Sequence, residues 1–349
     1  MSGYLKKPEN FQSESGREFN YINFLKKDNI FYVIDWAKIE KTGEGSGNFI
    51  KRNLFKLKRS FLDRTKKFLP EPHSSFLGGL ILGAKDSMGS ELQEDFRKTG
   101  VIHIVVLSGF NVTIVADFIV KFFSFLGMAW SGIFGGISIV LFAIMTGASA
   151  TIIRASIMAI LVITARLTSR YSEITRALFL AAIMMLLFNP MLLVYDPSFQ
   201  LSFLASLGLI KLSPYIENKT RFIPEEFGLR TLFAATVATQ IYVLPLLVWL
   251  VGEVSLISPL VNLLILVIVP SVMLFGFLMN IVSFMSFDIA FLISSPVYFM
   301  LDYALKVVEY FSLLKYSFIS SIYLPIWIAG LIYVGYFFLF VLMSRKNRG

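Results

Sequence analysis

Residues 254–287, VSLISPLVNLLILVIVPSVMLFGFLMNIVSFMSF, contain no charged side chain. About 20 apolar helical residues cross a bilayer's hydrocarbon core, so this run is too long for one straight span. Pro270 lies near its middle and lacks the N–H that an unbroken helix requires. The run therefore predicts two spans, or one span plus a re-entrant piece. It places the chain in a membrane.

Comparable runs lie on both sides, at 101–126, 132–146, 151–167, 177–195, 199–212, 229–251, 289–314 and 324–343, and the opening run itself counts as 256–285. The pattern predicts an all-α polytopic membrane protein with about nine or ten transmembrane or re-entrant helices, several broken or too short to cross alone. Such segments suit transporters and channels, where irregular backbone lines a water-filled cavity. No internal repeat is visible. Of 349 residues, 56% are hydrophobic and 16% charged, with a mean hydropathy of +0.71. A soluble domain has roughly 45–50% and 25%, so a soluble enzyme, a disordered tail and a coiled coil are excluded.

Residues 1–48 form a polar segment with one strand-like run at 30–36, too little for a closed barrel. No secretory signal is expected, because the first 28 residues contain no apolar core. Residues 49–72 carry Lys51, Arg52, Lys56, Lys58, Arg59, Arg64, Lys66 and Lys67 beside Ile50, Leu54, Leu57, Phe61 and Phe68 at helical spacing. That pattern predicts a basic amphipathic helix in the membrane interface, ended by Pro70 and Pro72, with Lys51, Arg52, Lys56, Lys58, Arg59, Lys66 and Lys67 facing anionic lipid. The membrane domain then runs over 73–344 and a basic tail over 345–349. The positive-inside rule puts the 51–67 cluster and the tail both in the cytoplasm, which requires an even number of crossings. The net charge of +9 favours polyanionic partners, lipid headgroups or nucleic acid. No cofactor or metal is expected. Cysteine is absent, and His73 and His103 alone cannot build a three-histidine zinc centre.

Polar residues at membrane depth are functional candidates. Arg154 lies between two apolar spans in a small-residue segment, 146–156. It reads either as a guanidinium for a phosphate-bearing substrate, or as a snorkelling arginine or the partner of Asp117 or Asp196. In the stretch from His103 to Asn111, the pair Ser108-Gly109 suggests a helix break, with pore lining or packing favoured over a nucleophilic role for Ser108. Asn189-Pro190 and Asp196-Pro197 interrupt the next run, with Ser198 as the expected N-cap and Gln200 one turn inside the membrane. Glu253, Gln240 and Asn262 complete the set.

These residues carry a resemblance. The chain resembles the competence domain of the ComEC family, bacterial inner-membrane channels that admit single-stranded DNA during natural transformation. The segment from Gly79 to Gly83, with Gly100-Val101-Ile102-His103 and Leu107-Ser108-Gly109-Phe110-Asn111-Val112, is similar to the family's "LLLG … GxxHLLAISGLHV" block. Thr146-Gly147 and Arg154-Ala155-Ser156-Ile157-Met158 are similar to "G … RAxIM". Asn189-Pro190, Asp196 and Phe199-Gln200-Leu201-Ser202-Phe203 are similar to "NP … DxGFQLSF". Gln240, Pro245, Pro259, Asn262-Leu263 and Pro270 follow the order of "QxxxxP … NLLxxP". Asn111 stands where the family usually has His, and Lys85 where it usually has an acid. A complete OB-fold is lacking, residues 18–40 being similar only to its last piece, and so is the metallo-β-lactamase-like domain.

The resemblance implies a non-enzymatic conducting subunit that passes single-stranded DNA through a bacterial inner membrane, alongside a separate nuclease and other DNA-uptake proteins. A secondary transporter of a smaller anion is the alternative, and an intramembrane hydrolase comes third. The channel-lining residues expected to share one interior path are His103, Ser108, Gly109, Asn111, Arg154, Gln200, Gln240 and Asn262.

Overall fold

The computed structural model describes residues 2–12, 18–38, 40, 47–84, 87–105, 109–167, 174–314, 317–320 and 322–346. The polar segment holds β1 (Ser2–Lys6), β2 (Phe11–Gln12), β3 (Glu18–Phe19), α1 (Tyr21–Lys26) and β4 (Val33–Lys38). Strand β4 begins later than the expected 30–36 run, because Leu25 and Lys26 carbonyls still tie down the Asn29 and Ile30 amides after α1. β1 pairs antiparallel with β4, Leu5 opposite Ile34, and β2 pairs with β3.

The amphipathic helix is α2 (Phe49–Phe68). Asn48 caps it, accepting from the Ile50 amide at 2.8 Å. There follow α3 (His73–Leu82), α4 (Ser90–Lys98), α5 (Ile102–Val105), α6 (Gly109–Phe122), α7 (Met128–Thr146), α8 (Ala150–Leu167) and α9 (Ile174–Phe188). The second half contains α10 (Leu192–Tyr195), α11 (Pro197–Lys211), α12 (Ser213–Lys219), α13 (Leu229–Leu250), β5 (Val254–Ser255), α14 (Ser258–Leu266), α15 (Val269–Val282), α16 (Phe287–Ser312), β6 (Phe318–Ile319) and α17 (Ile326–Lys346).

This is an all-α polytopic membrane architecture. Among the described residues, Ile102–Leu126, α7, α13 and α16 are long and apolar enough to cross a bilayer. Two further pairs qualify when taken together, α11 with α12 bent by 43° and α14 with α15 bent by 42°. Proline causes both bends, Pro214 opening α12 and Pro270 opening α15. The break expected at Pro270 is there. Shorter apolar helices include α3, α9 and the first parts of α8 and α17.

The core forms around α3, every residue of which is buried. A helix apolar all round belongs inside. Leu77 is fully buried and lies over Gly276 of α15, where an added Cβ would come within 2.7 Å of it. The C-terminal half of α2 docks on this core. Thr65 is fully buried and accepts from Asn280 Nδ2 at 3.0 Å, while Arg64 donates to the Ser283 carbonyl at 2.6 Å and covers the Phe284 ring. Its N-terminal half leaves Phe49, Ile50, Phe55 and Leu57 exposed beside the lysines and arginines.

One expected cap is corrected. Asp196, not Ser198, caps α11, accepting from the Phe199 amide at 3.1 Å, because Pro197 occupies the first helical position.

Candidate functional site

Arg154 sits in the second turn of α8. Helix α7 ends in a tight reversal at Gly147 and Ala148, with φ of 102° and 51°. Glycine takes the left-handed conformation freely and alanine does not, so the reversal is strained at Ala148. It turns α8 back so that Arg154 faces α11. The side chain is buried. Nη1 donates to the Ser206 hydroxyl, and Ser206 donates in turn to the Ser202 carbonyl at 3.0 Å. The guanidinium lies 5.7 Å from the Phe203 ring centre. Gly109, the first residue of α6, closes the other side, where an added Cβ would fall 2.9 Å from Nη2.

Nε is buried without a hydrogen-bond partner among the described residues. Among the described residues no carboxylate meets this cation. Asp196, the acid proposed as its partner, pairs instead with Lys27 at 3.2 Å, and Asp117 is exposed. Burial alone disfavours the Lys27 ammonium, but Asp28 and Asp196 outweigh it and raise its pKa. A buried charge is costly unless it is paired. The guanidinium, which stays protonated in proteins, has hydroxyl, ring and glycine beside it among the described residues.

A second polar corner joins α4, α5, β5 and α14. Gly100, at φ 73°, makes the turn between α4 and α5. A Cβ there would strike Ser258 and Ser255 at 2.6 and 2.9 Å. The His103 Nδ1 lies 3.2 Å from the Gly100 carbonyl, and the Ser258 hydroxyl donates to the same carbonyl at 3.4 Å. Asn262 Nδ2 donates to Ser258 at 3.1 Å. Next to this corner, Arg97 grips both oxygens of Glu94 at 2.8 Å and bonds to buried Glu253.

The structure thus joins Gly109 to Arg154, and His103 to Asn262. Asn111, Gln200 and Gln240 make other contacts. Asn111 is fully buried and donates to the Leu80 and Ile104 carbonyls at 3.1 and 3.2 Å, tying the end of α3 to α5. Gln200 folds back onto the Leu193 and Val194 carbonyls at 2.8 and 3.1 Å, holding α10 against α11. Gln240 is half-buried on α13, five residues before Pro245. Proline leaves the Ile241 carbonyl without its helical donor, and the Tyr336 hydroxyl of α17 donates there at 3.2 Å. Ser108 and Lys85 lie outside the described residues.

Sequence reading missed Ser206, Ser255 and Ser258, because serines are common in apolar helices and carry no mark of their partners. It also missed that Asn189 and Asp196 hold the polar segment. Asn189 Nδ2 donates to the Lys27 carbonyl at 2.8 Å, beside the ion pair with Asp196.

Fold and site together define a multi-pass membrane protein with broken helices and a buried arginine that meets no carboxylate among the described residues. Residues 80–346 match the family model described as Competence protein, and the chain belongs to that family. It is 26% identical over 266 residues to ComE operon protein 3 of Bacillus subtilis strain 168, across 76% of this chain and 33% of that protein. The chain therefore spans about a third of the length of the curated relative it matches. No solved structure gives a significant match.

Proposed function

We propose that the chain is a conducting subunit for DNA uptake, carrying single-stranded DNA across the bacterial inner membrane into the cytoplasm during natural transformation. It does so without catalysis of its own, leaving strand degradation to a separate nuclease. One observation carries this reading: Arg154 is a buried guanidinium with no acid partner among the described residues. Guanidinium matches the phosphodiester in charge and in fork geometry. Membership in the Competence protein family supports a strand of DNA as the anion. His103, Ser108, Gly109, Asn111, Gln200, Gln240 and Asn262 are proposed as the remaining groups of the path. The exposed apolar and basic half of α2 rests on anionic headgroups, in keeping with its chemistry.

The test uses the purified chain in nanodiscs with a fluorescent single-stranded oligonucleotide. Binding weakens with salt, and each phosphate contact on a single strand contributes a log–log slope of about 0.7. Arg154→Gln lowers the slope by one contact. An unchanged slope, or displacement of the oligonucleotide by inorganic phosphate at equal concentration, overturns the reading in favour of a small-anion carrier or neither.

A further inference from the structure

The corner around Gly100 contains more oxygen than its hydrogen bonds use. The Gly100 carbonyl accepts from His103 and from the Ser258 hydroxyl. With the Ser258 proton directed there, its lone pairs face Asn262, which must present its amide N–H. That fixes the orientation of the amide and turns Asn262 Oδ1 inward. Asn262 Oδ1 and Ser255 Oγ are both buried without a partner among the described residues, and their residues are only 3% and 8% exposed. A buried acceptor left unpaired costs on the order of 1–3 kcal/mol. Two in one corner point to a ligand.

We propose that the Gly100 carbonyl, the Ser255 and Ser258 hydroxyls and the Asn262 amide oxygen form a site for a small monovalent cation of sodium's class. All four ligands are neutral oxygens: hydrogen bonds join the Gly100 carbonyl, Ser258 and Asn262, and Ser255 packs against Gly100, and broken membrane helices hold alkali ions with such groups. A divalent ion is a poorer fit, because calcium and magnesium sites draw on carboxylates. Glu253, two residues before Ser255, is bonded to Arg97. No group of three or more His, Asp or Glu residues suited to a metal occurs among the described residues. The bound ion would tie α4, α5, β5 and α14 into one unit, and the site stands independently of the DNA reading.

The experiment follows thermal unfolding of the purified full chain in nanodiscs, in sodium, potassium or choline chloride at constant ionic strength. A specific ligand raises the midpoint with its own concentration. Sodium is expected to raise it saturably above choline. Ser255→Ala removes one ligand and leaves every drawn hydrogen bond intact, so the sodium concentration at half effect should rise about tenfold. Asn262→Asp adds charge and should lower it. Equal midpoints in sodium and choline mean that water fills the corner, and overturn the proposal. So does a sodium effect that neither variant moves.

Discussion

Arg97 and Arg154 are both drawn into polar contacts, and they are treated in opposite ways. Arg97 is half-buried at the end of α4, where Glu94 takes its fork and Glu253 takes the remaining amine. Its hydrogen bonds to Glu94, set against partial burial and joined by the charge of Glu253, hold its pKa above the ordinary arginine value. Its role is complete within the chain: it fastens α4 to the loop before β5. Arg154 is buried more deeply, and among the described residues it has hydroxyl, ring and glycine around it.

The largest expected effect separates the two. Arg97→Gln strands buried Glu253 and should cost roughly 3 kcal/mol of stability, since a buried pair broken on one side leaves an uncompensated charge. Arg154→Gln strands no carboxylate among the described residues and should leave stability unchanged or raise it. Denaturation of both variants in the same lipid measures the contrast. Equal losses would erase the distinction.

Ser206→Ala should act more mildly. It removes one hydrogen bond to the guanidinium, worth about 1 kcal/mol, and lets Arg154 swing within its pocket. Transformation frequency should fall several-fold at normal membrane abundance, whereas Ser206→Thr, which keeps the hydroxyl, should retain most of it. A fall in abundance that matches the fall in uptake would make Ser206 a packing residue only.

The smallest effect is set by pH. Hydrogen bonds from Arg97, set against burial and helped by Arg97 and Lys98 charge, hold the Glu94 carboxyl below its usual pKa. A depressed carboxyl contributes stability that is fully present above its unfolded pKa and is lost as pH falls through the folded one. The unfolding midpoint should therefore drop in acid below about pH 4, and Glu94→Gln should drop less across that window. Parallel curves for both proteins would remove this pair's share.

Much of this was readable from sequence, and the reasons are physical. Apolar runs locate the spans because lipid tolerates little else, and Pro270 breaks its helix through local sterics alone. Arg154 stands out because a charge is rare at that depth. Ser206 does not stand out, because its meaning lies in an arginine on another helix. Asn111 and Gln200 read as pore-lining groups in the sequence, and in the fold their amides also donate to carbonyls at helix ends. Alternation and hydropathy cannot distinguish those two uses of an amide. Lys27 and Asp196 lie far apart in sequence, and only the docking of the polar segment brings them together.

Arg154→Lys against Arg154→Gln tests the central claim most directly, with transformation frequency and membrane abundance measured in a host that depends on this chain. Lysine keeps the charge and loses the fork. Phosphate contact predicts partial loss of uptake with Lys and near-complete loss with Gln, both at normal abundance. Full uptake with Lys would mean that charge alone suffices, as for a side chain snorkelling to headgroups. That result would contradict a phosphate held by the guanidinium fork.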